Sequence, residues 1–390
     1  MQVYLDNAAT TKCYPQVKDI VIEAMTKDYG NPSSMHKMGV EAENYLKEAK
    51  ASIAKAMKVE PKEIYFTSGG TEANNLAIIG VAMANQRRGN HIITTQIEHP
   101  AVSAPMDILE KQGFEITRLG VDKQGKIDIE ELKDAITEQT IMVSIMHVNN
   151  EIGSIQPIAA VGTLLQQYPD IYFHVDAIQG FGHYQFLPKA YHVDLVSVSG
   201  HKIHAPKGTG FLYVNERVKI TPIIYGGGQQ KDIRPGTENV PGIAGLGVAT
   251  KISHQDLDDK QRHLLALKQK LVEGLLEFED VTIHGLKYID ERPVVEEGAL
   301  HIVSVAFEGV RSEVMLHTLE EKGIYVSAGS ACSTHKRGKS PTLIAIGANP
   351  AQLESTVRFS FSDETTMAAI DYTLEVLTDV LPLLRRYTRR

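Results

Sequence analysis

Short runs of apolar or alternating residues recur along the first two thirds of the chain. They stand at 63–69 (EIYFTSG), 91–98 (HIITTQIE), 140–148 (TIMVSIMHV), 171–179 (IYFHVDAIQ), 194–200 (DLVSVSG) and 208–214 (GTGFLYV). Each has the length and β-branched content of a buried strand. Between them, helical periodicity appears at 42–57, 71–86, 102–113, 129–137 and 159–168. Strands that alternate with helices predict βαβ units and a mostly parallel sheet covered on both faces. The expected fold is therefore α/β. A large domain would span residues 14–255.

From about residue 245 to 280 the chain reads as one long connecting helix with few breakers. Strands then follow at 300–309, 323–332 and 355–362, with helices at 312–323 and 368–387. This predicts a smaller α+β domain made of residues 256–390 together with residues 1–13. It would carry a polar, basic, glycine-containing loop at about 328–341.

The chain has 390 residues, 43% hydrophobic and 23% charged, with a formal net charge of -8. These proportions suit a globular protein with a sizeable core. The acidic balance argues against nucleic acid as a direct partner, because phosphate backbones select basic surfaces. No apolar run approaches the ~20 residues that span a bilayer, and the N-terminus lacks the pattern of a secretory signal. A cytoplasmic protein is expected, with no membrane partner. Its two cysteines, Cys13 and Cys332, are too few and too far apart for CxxC metal spacing, and a structural disulfide is not expected in that compartment. Cys13 has one lysine beside it and reads as a structural thiol. Cys332 lies among small residues just before His335, Lys336, Arg337 and Lys339, which would favour its thiolate.

The candidate chemistry gathers at strand ends. In 65–75 (YFTSGGTEANN) a strand runs into Ser68, Gly69 and Gly70, and Thr71 opens a helix. Free N–H groups and the positive end of a helix dipole suit a phosphate there. Asp176 ends the run 171–176, with Gln179 three residues later. Asn149 and Asn150 follow another strand, and His99 stands just before Pro100. Lys202, flanked by His201 and His204, follows the strand that ends at Ser199. A lysine delivered by a core strand is costly to desolvate unless it serves as a nucleophile. In a parallel sheet all these ends meet at one edge. A phosphate cradle, an acid for a ring nitrogen, a stacking imidazole and an amine are what is needed to hold pyridoxal 5'-phosphate, with Lys202 as its covalent anchor.

The motifs YLDNAATT (4–11), GNPSSMHKMG (30–39), TSGGTEANN (67–75), HVNNEIG (147–153), HVDAIQ (174–179), SGHKIHAPKGTG (199–210), RPGTENV (234–240) and SAGSACS (327–333) occur in order along the chain. They resemble the cysteine desulfurases of the NifS/IscS type, which are fold type I pyridoxal-phosphate enzymes with a large, mostly parallel seven-stranded sheet and a smaller α+β domain. The resemblance implies a cysteine desulfurase that converts L-cysteine to L-alanine and leaves a persulfide on Cys332. It makes Lys202, Cys332 and His99 catalytic. Cofactor contacts would come from Gly70, Thr71, His99, Asn150, Asp176, Gln179, Ser199, His201 and Lys202. Thr237 would reach the phosphate of the neighbouring subunit in a homodimer. Asn150 and Arg358 would bind the substrate, the latter as a bidentate carboxylate clamp. Sulfur would pass to an acceptor protein such as an iron–sulfur scaffold or a tRNA thiolation enzyme.

Two positions depart from the family pattern. Ser362-Asp363 stand where Gly-Arg is common, which implies altered substrate contacts or partner docking. Pro235 stands where Ser is common in the dimer-contact motif, which implies a stiffer loop. Selenocysteine lyase, or another lyase or aminotransferase on the same scaffold, is the alternative activity. A nicotinamide-binding fold would require GxGxxG after its first strand, and the sequence has none.

Overall fold

The computed structural model describes residues 1–290, 292–328 and 340–388, with side chains described to Arg386. Seven strands form the larger sheet. They are β1 (Ile64–Thr67), β2 (His91–Thr95), β3 (Glu115–Leu119), β4 (Thr140–Met146), β5 (Tyr172–Asp176), β6 (Leu195–Ser199) and β7 (Gly210–Val214). Their order is β1-β7-β6-β5-β4-β2-β3, and only β7 runs against the others. The expectation of a mostly parallel seven-stranded sheet is met. The strand β3 is an addition to the sequence reading; Glu115, Thr117 and Arg118 break its apolar character because it is the sheet's edge.

Hydrophobic side chains cover both faces of this sheet. One cluster includes Ile53, Phe173, Val198, Phe211 and Leu246; the other, on the opposite face, includes Leu76, Val81, Met106, Leu195 and Leu212. Successive strand residues point to opposite faces, so neighbours such as Phe211 and Leu212 serve different clusters. That is why these strands read as continuous apolar runs rather than as alternations.

A second sheet is antiparallel and contains β8 (Val281–His284), β9 (Ile302–Phe307), β10 (Ser327–Ala328) and β11 (Thr356–Ser360), in the order β10-β11-β9-β8. Its own cluster includes Leu267, Val305, Phe307, Phe359 and Leu377. The first residues of the chain lie beside it: Val3 and Tyr4 form a separate parallel pair with Ile324 and Tyr325, and Asp6 bridges to Ser360 of β11. The stretch read as one long helix is two, Val240–Ser253 and Leu257–Leu275. The break falls at Asp256, whose φ of 50° is left-handed. A short polar side chain tolerates that conformation better than most, so no glycine marks the break in the sequence. Among the described residues, no helix is long and apolar enough to cross a membrane.

One close approach ties the sheet to the loop that follows β1. A Cβ at Gly210 would lie 2.6 Å from the Val198 carbonyl oxygen and 2.8 Å from the Cα of Gly69. Gly210→Ala should therefore destabilise the protein by about 1–3 kcal/mol, the usual range for overpacking, and lower the midpoint of urea unfolding. An unchanged midpoint would show that β7 and the loop separate without cost.

Candidate active site

The parallel strands deliver their C-terminal ends to one edge. Asp176 is the last residue of β5 and pairs in register with Met146, the last of β4. Ser199 ends β6, and the chain then turns through a single 3-10 turn, Gly200–Lys202. His99 lies four residues beyond β2 and caps the helix Pro100–Lys111, its Nδ1 accepting the Ala101 N–H at 3.1 Å.

The Asp176 carboxylate is buried. Its Oδ2 accepts a hydrogen bond from Asn74 Nδ2 at 2.7 Å, and its Oδ1 accepts the Ile178 N–H at 3.0 Å. Burial pushes its pKa up, while the Ile178 N–H, His99, Asn74 and Lys202 oppose that rise. His99 responds in the opposite sense: burial and Lys202 favour its neutral form, and Asp176 favours its cation. The Lys202 ammonium donates to the carbonyl oxygens of Ala8 at 2.6 Å and Ala9 at 2.7 Å. Gln179 Nε2 donates to the same Ala8 oxygen at 2.9 Å. The N-terminal segment thus lies directly against the lysine.

The loop after β1 has the form expected of an anion cradle. Gly69 has a φ of +150°, and Gly70 begins the helix Gly70–Asn85. A Cβ on Gly70 would lie 2.1 Å from Ile178 Cδ1 and 3.3 Å from Ser199 Cβ, so a larger residue there would have to push the Ile178 side chain aside. Glu72 accepts the Ser68 N–H at 2.8 Å and pairs with Arg234 at 2.7 Å, which fixes the loop on its outer side. Thr71 is exposed on the first turn. His201 makes a 3.2 Å contact with Thr10 Oγ1, and burial lowers its pKa to about 4. Thr237 is exposed and lines a surface cavity together with Thr67 and Ser68 of its own chain.

Arg358 lies on β11, almost completely buried. Its Nη1 donates to the Asn150 carbonyl at 2.6 Å, and its Nη2 to Asp6 Oδ1 at 3.1 Å and Ser327 Oγ at 3.2 Å. Its Nε–H is buried and has no partner among the described residues. A donor left unpaired in such a place is costly unless a ligand supplies the acceptor. Asn149 turns the chain, its Oδ1 accepting the N–H groups of Glu151 and Ile152. Cys332 and its neighbours His335, Lys336, Arg337 and Lys339 lie outside the described residues.

Asp363 faces inward. It accepts the Tyr14 hydroxyl at 2.8 Å and pairs with Lys260 at 3.2 Å and His204 at 3.5 Å. Burial alone would raise its pKa, but His204, Tyr14 and Lys260 hold it below the usual carboxylate range. The departure at Ser362-Asp363 therefore braces the turn that carries Lys202. Pro235 is buried and packs near Gly226. Three site residues had no role in the sequence reading: Asp6, Asn74 and Glu98. Asn74 stands one helical turn after Thr71, so spacing alone could have placed it on the same face. Asp6 meets Arg358 across 352 residues, and no local signal reports that.

The chain was compared with known proteins. The aminotransferase class-V family matches residues 3–373. The cysteine desulfurase IscS of Methanosarcina thermophila is 42% identical over 383 residues, covering 98% of this chain and 93% of that protein. Among solved structures, a NifS-like protein superposes with a TM-score of 0.91 at 36% identity, covering 98% of this chain and 100% of the other. SspA in complex with cysteine superposes with a TM-score of 0.80 at 32% identity, over 94% of this chain and 100% of that one.

Pyridoxal phosphate is the cofactor of this family, and the residues present fit it. The Gly69–Gly70 turn and the helix N-terminus suit its phosphate. Asp176 uses one lone pair on each oxygen for the protein, which leaves acceptor capacity for a protonated ring nitrogen. That cation would also offset the burial that strains the carboxylate. The Lys202 amine would be the group available for attachment. By sequence, by fold and by the make-up of this site, the chain belongs to the class-V aminotransferase family, among its pyridoxal-phosphate-dependent cysteine desulfurases of the NifS/IscS type.

Proposed function

We propose that the protein removes sulfur from L-cysteine, forming L-alanine and a persulfide on Cys332. The carrying observation is the convergence of a buried carboxylate and a lysine amine at one edge of the large sheet, which Arg358 of the second sheet meets through the Asn150 carbonyl. When bound, pyridoxal phosphate supplies an electron sink next to the substrate Cα.

The chain's own residues do the rest. Asp176 keeps a proton on the ring nitrogen, because a buried anion is stabilised by an adjacent cation. Gly70, Thr71, Ser199 and His201 hold the phosphate. His99 would cover the ring, Gln179 and Asn150 would orient it, and Arg358 would offer its Nε–H to the substrate carboxylate. Lys202 Nζ would take the Cα proton, and the acceptor carbonyls of Ala8 and Ala9 hold that amine in place. The Cys332 thiolate then attacks the substrate sulfur. A sulfur–sulfur bond forms, the Cβ–S bond breaks, and the organic product leaves as alanine, so L-cysteine plus enzyme thiol gives alanine plus enzyme persulfide.

We further infer a homodimer in which Thr237 approaches the neighbouring subunit's phosphate. Exposed Ile22, Met25, Tyr29 and Met35 support a self-association surface. The reading divides the chain into a cofactor domain (14–255) and a smaller domain (1–13 and 256–390) carrying the cysteine loop at about 328–341. The reducing cytoplasm suits a reactive thiol and is the compartment proposed. The persulfide would be passed to an acceptor protein, an iron–sulfur scaffold or a tRNA thiolation enzyme.

Three variants test these assignments. Borohydride reduction should fix the cofactor to the peptide containing Lys202 in the wild type, and mass spectrometry should find no such adduct in Lys202→Ala. Cys332→Ala should keep the cofactor and bind L-cysteine but yield no protein persulfide; a persulfide mapped to Cys13 would reassign the acceptor. Arg358→Ala should lower kcat/KM by about 10- to 150-fold, the worth of a hydrogen bond to a charged group, mainly through KM. A loss confined to kcat would remove Arg358 from substrate binding.

A further inference from the structure

Glu98 is a second acid at the sheet edge, one residue before His99. Its Oε1 accepts two hydrogen bonds, from the Thr95 hydroxyl at 2.9 Å and from the Met146 N–H at 2.9 Å. Those donors are the last residues of β2 and β4. A single oxygen therefore joins the strand that leads to His99 with the strand that leads to Asn149 and Asn150. The other oxygen, Oε2, is shut away from solvent and has no partner among the described residues. An ionised carboxylate would leave half of its charge facing nothing, in a place where charge is costly. The charged groups around it compound this. The Asp176 charge at the end of β5 acts on Glu98, and His99 and Lys202 in turn act on Asp176. Two ionised carboxylates in one buried site repel, so one of them stays protonated. Asp176 has donors on both oxygens and is acted on by the Lys202 cation; Glu98 has donors on one oxygen only.

We propose that Glu98 is a positioning residue that works as an un-ionised carboxylic acid, tying the loop that bears His99 to the end of β4 while Asp176 carries the negative charge. Burial, and after it the Asp176 charge, push its pKa up to about 8, in keeping with this geometry. The proposal rests on the functional reading only in assigning Asp176 and His99 to the cofactor, and its first test needs no turnover.

The unfolding midpoint of the holoenzyme is measured for the wild type and for Glu98→Gln, whose amide mimics the neutral acid, from pH 6 to pH 9. A folded-state pKa above the unfolded one means that the stabilisation is complete below the unfolded value, about 4.3, and is lost as pH rises through the folded value. The wild type should therefore lose stability relative to Glu98→Gln between pH 6 and 8, approaching a tenfold change in the unfolding constant per pH unit at the lower end, and the difference should level off above the folded value of about 8. The alkaline limb of its kcat/KM profile should relax in the variant as well. Glu98→Ala, which removes the tie, should weaken cofactor retention where Glu98→Gln preserves it. Parallel curves for the wild type and Glu98→Gln across the range would overturn the proposal. Should the Gln variant fail to fold, infrared spectra of the wild type decide. A protonated-carboxyl band present at pH 6 and lost by pH 9 supports the proposal, and no such band at pH 6 sinks it. An enzyme inactive on cysteine but with the predicted stability difference would reject the functional reading and keep Glu98 as assigned.

Discussion

The site depends on a buried carboxylate that must not stand alone. Asp176 is almost inaccessible at the end of a central strand, and burial pushes towards its neutral form. What keeps it anionic is arranged by the fold: the Ile178 N–H from its own chain turn, the Asn74 amide from the helix after β1, and the positive potential of Lys202 and His99. A pyridinium would complete that set. The same constraint explains why Glu98, a few residues away in space, reads as the neutral partner. One low-dielectric site holds one negative charge cheaply and two only at high cost.

The support for Lys202 comes from the opposite side. Its turn is braced by His204, which stacks on Tyr14 with ring centres 4.2 Å apart and meets Asp363 through its other edge. Lys260 and the Tyr14 hydroxyl share that carboxylate. The lysine therefore sits between a braced turn and the Ala8 and Ala9 carbonyls. Such preorganisation suits a group that must release one bond partner and then move a proton.

Much of this could be read from the chain itself, and the remainder has physical reasons for its silence. The six strand runs named from apolar patterning are all present, because strands buried on both faces leave an unmistakable signal. The edge strand Glu115–Leu119 was missed because an edge half-faces water. The helix break at Asp256 was missed because the break uses an aspartate in a left-handed conformation, not a glycine or proline. At the site, Lys202, Asp176, His99 and the Gly69–Gly70 turn were legible as strand ends. The pairing of Asp6 with Arg358 and the brace around Asp363 were not, since each joins residues from opposite ends of the sequence. Sequence spacing informs on neighbours within a helix or strand; contacts between distant segments need the fold.

The way the chain's beginning is threaded has a consequence for biosynthesis. Asn7 and Ala8 donate to Ser360, Asp6 pairs with Arg358, and Ala8 also receives Lys202. Residues 6–8 therefore cannot settle until residues 358–360 have been made. A growing polypeptide can assemble the large sheet, yet the segment that lies against Lys202 cannot be locked in place until translation has passed β11.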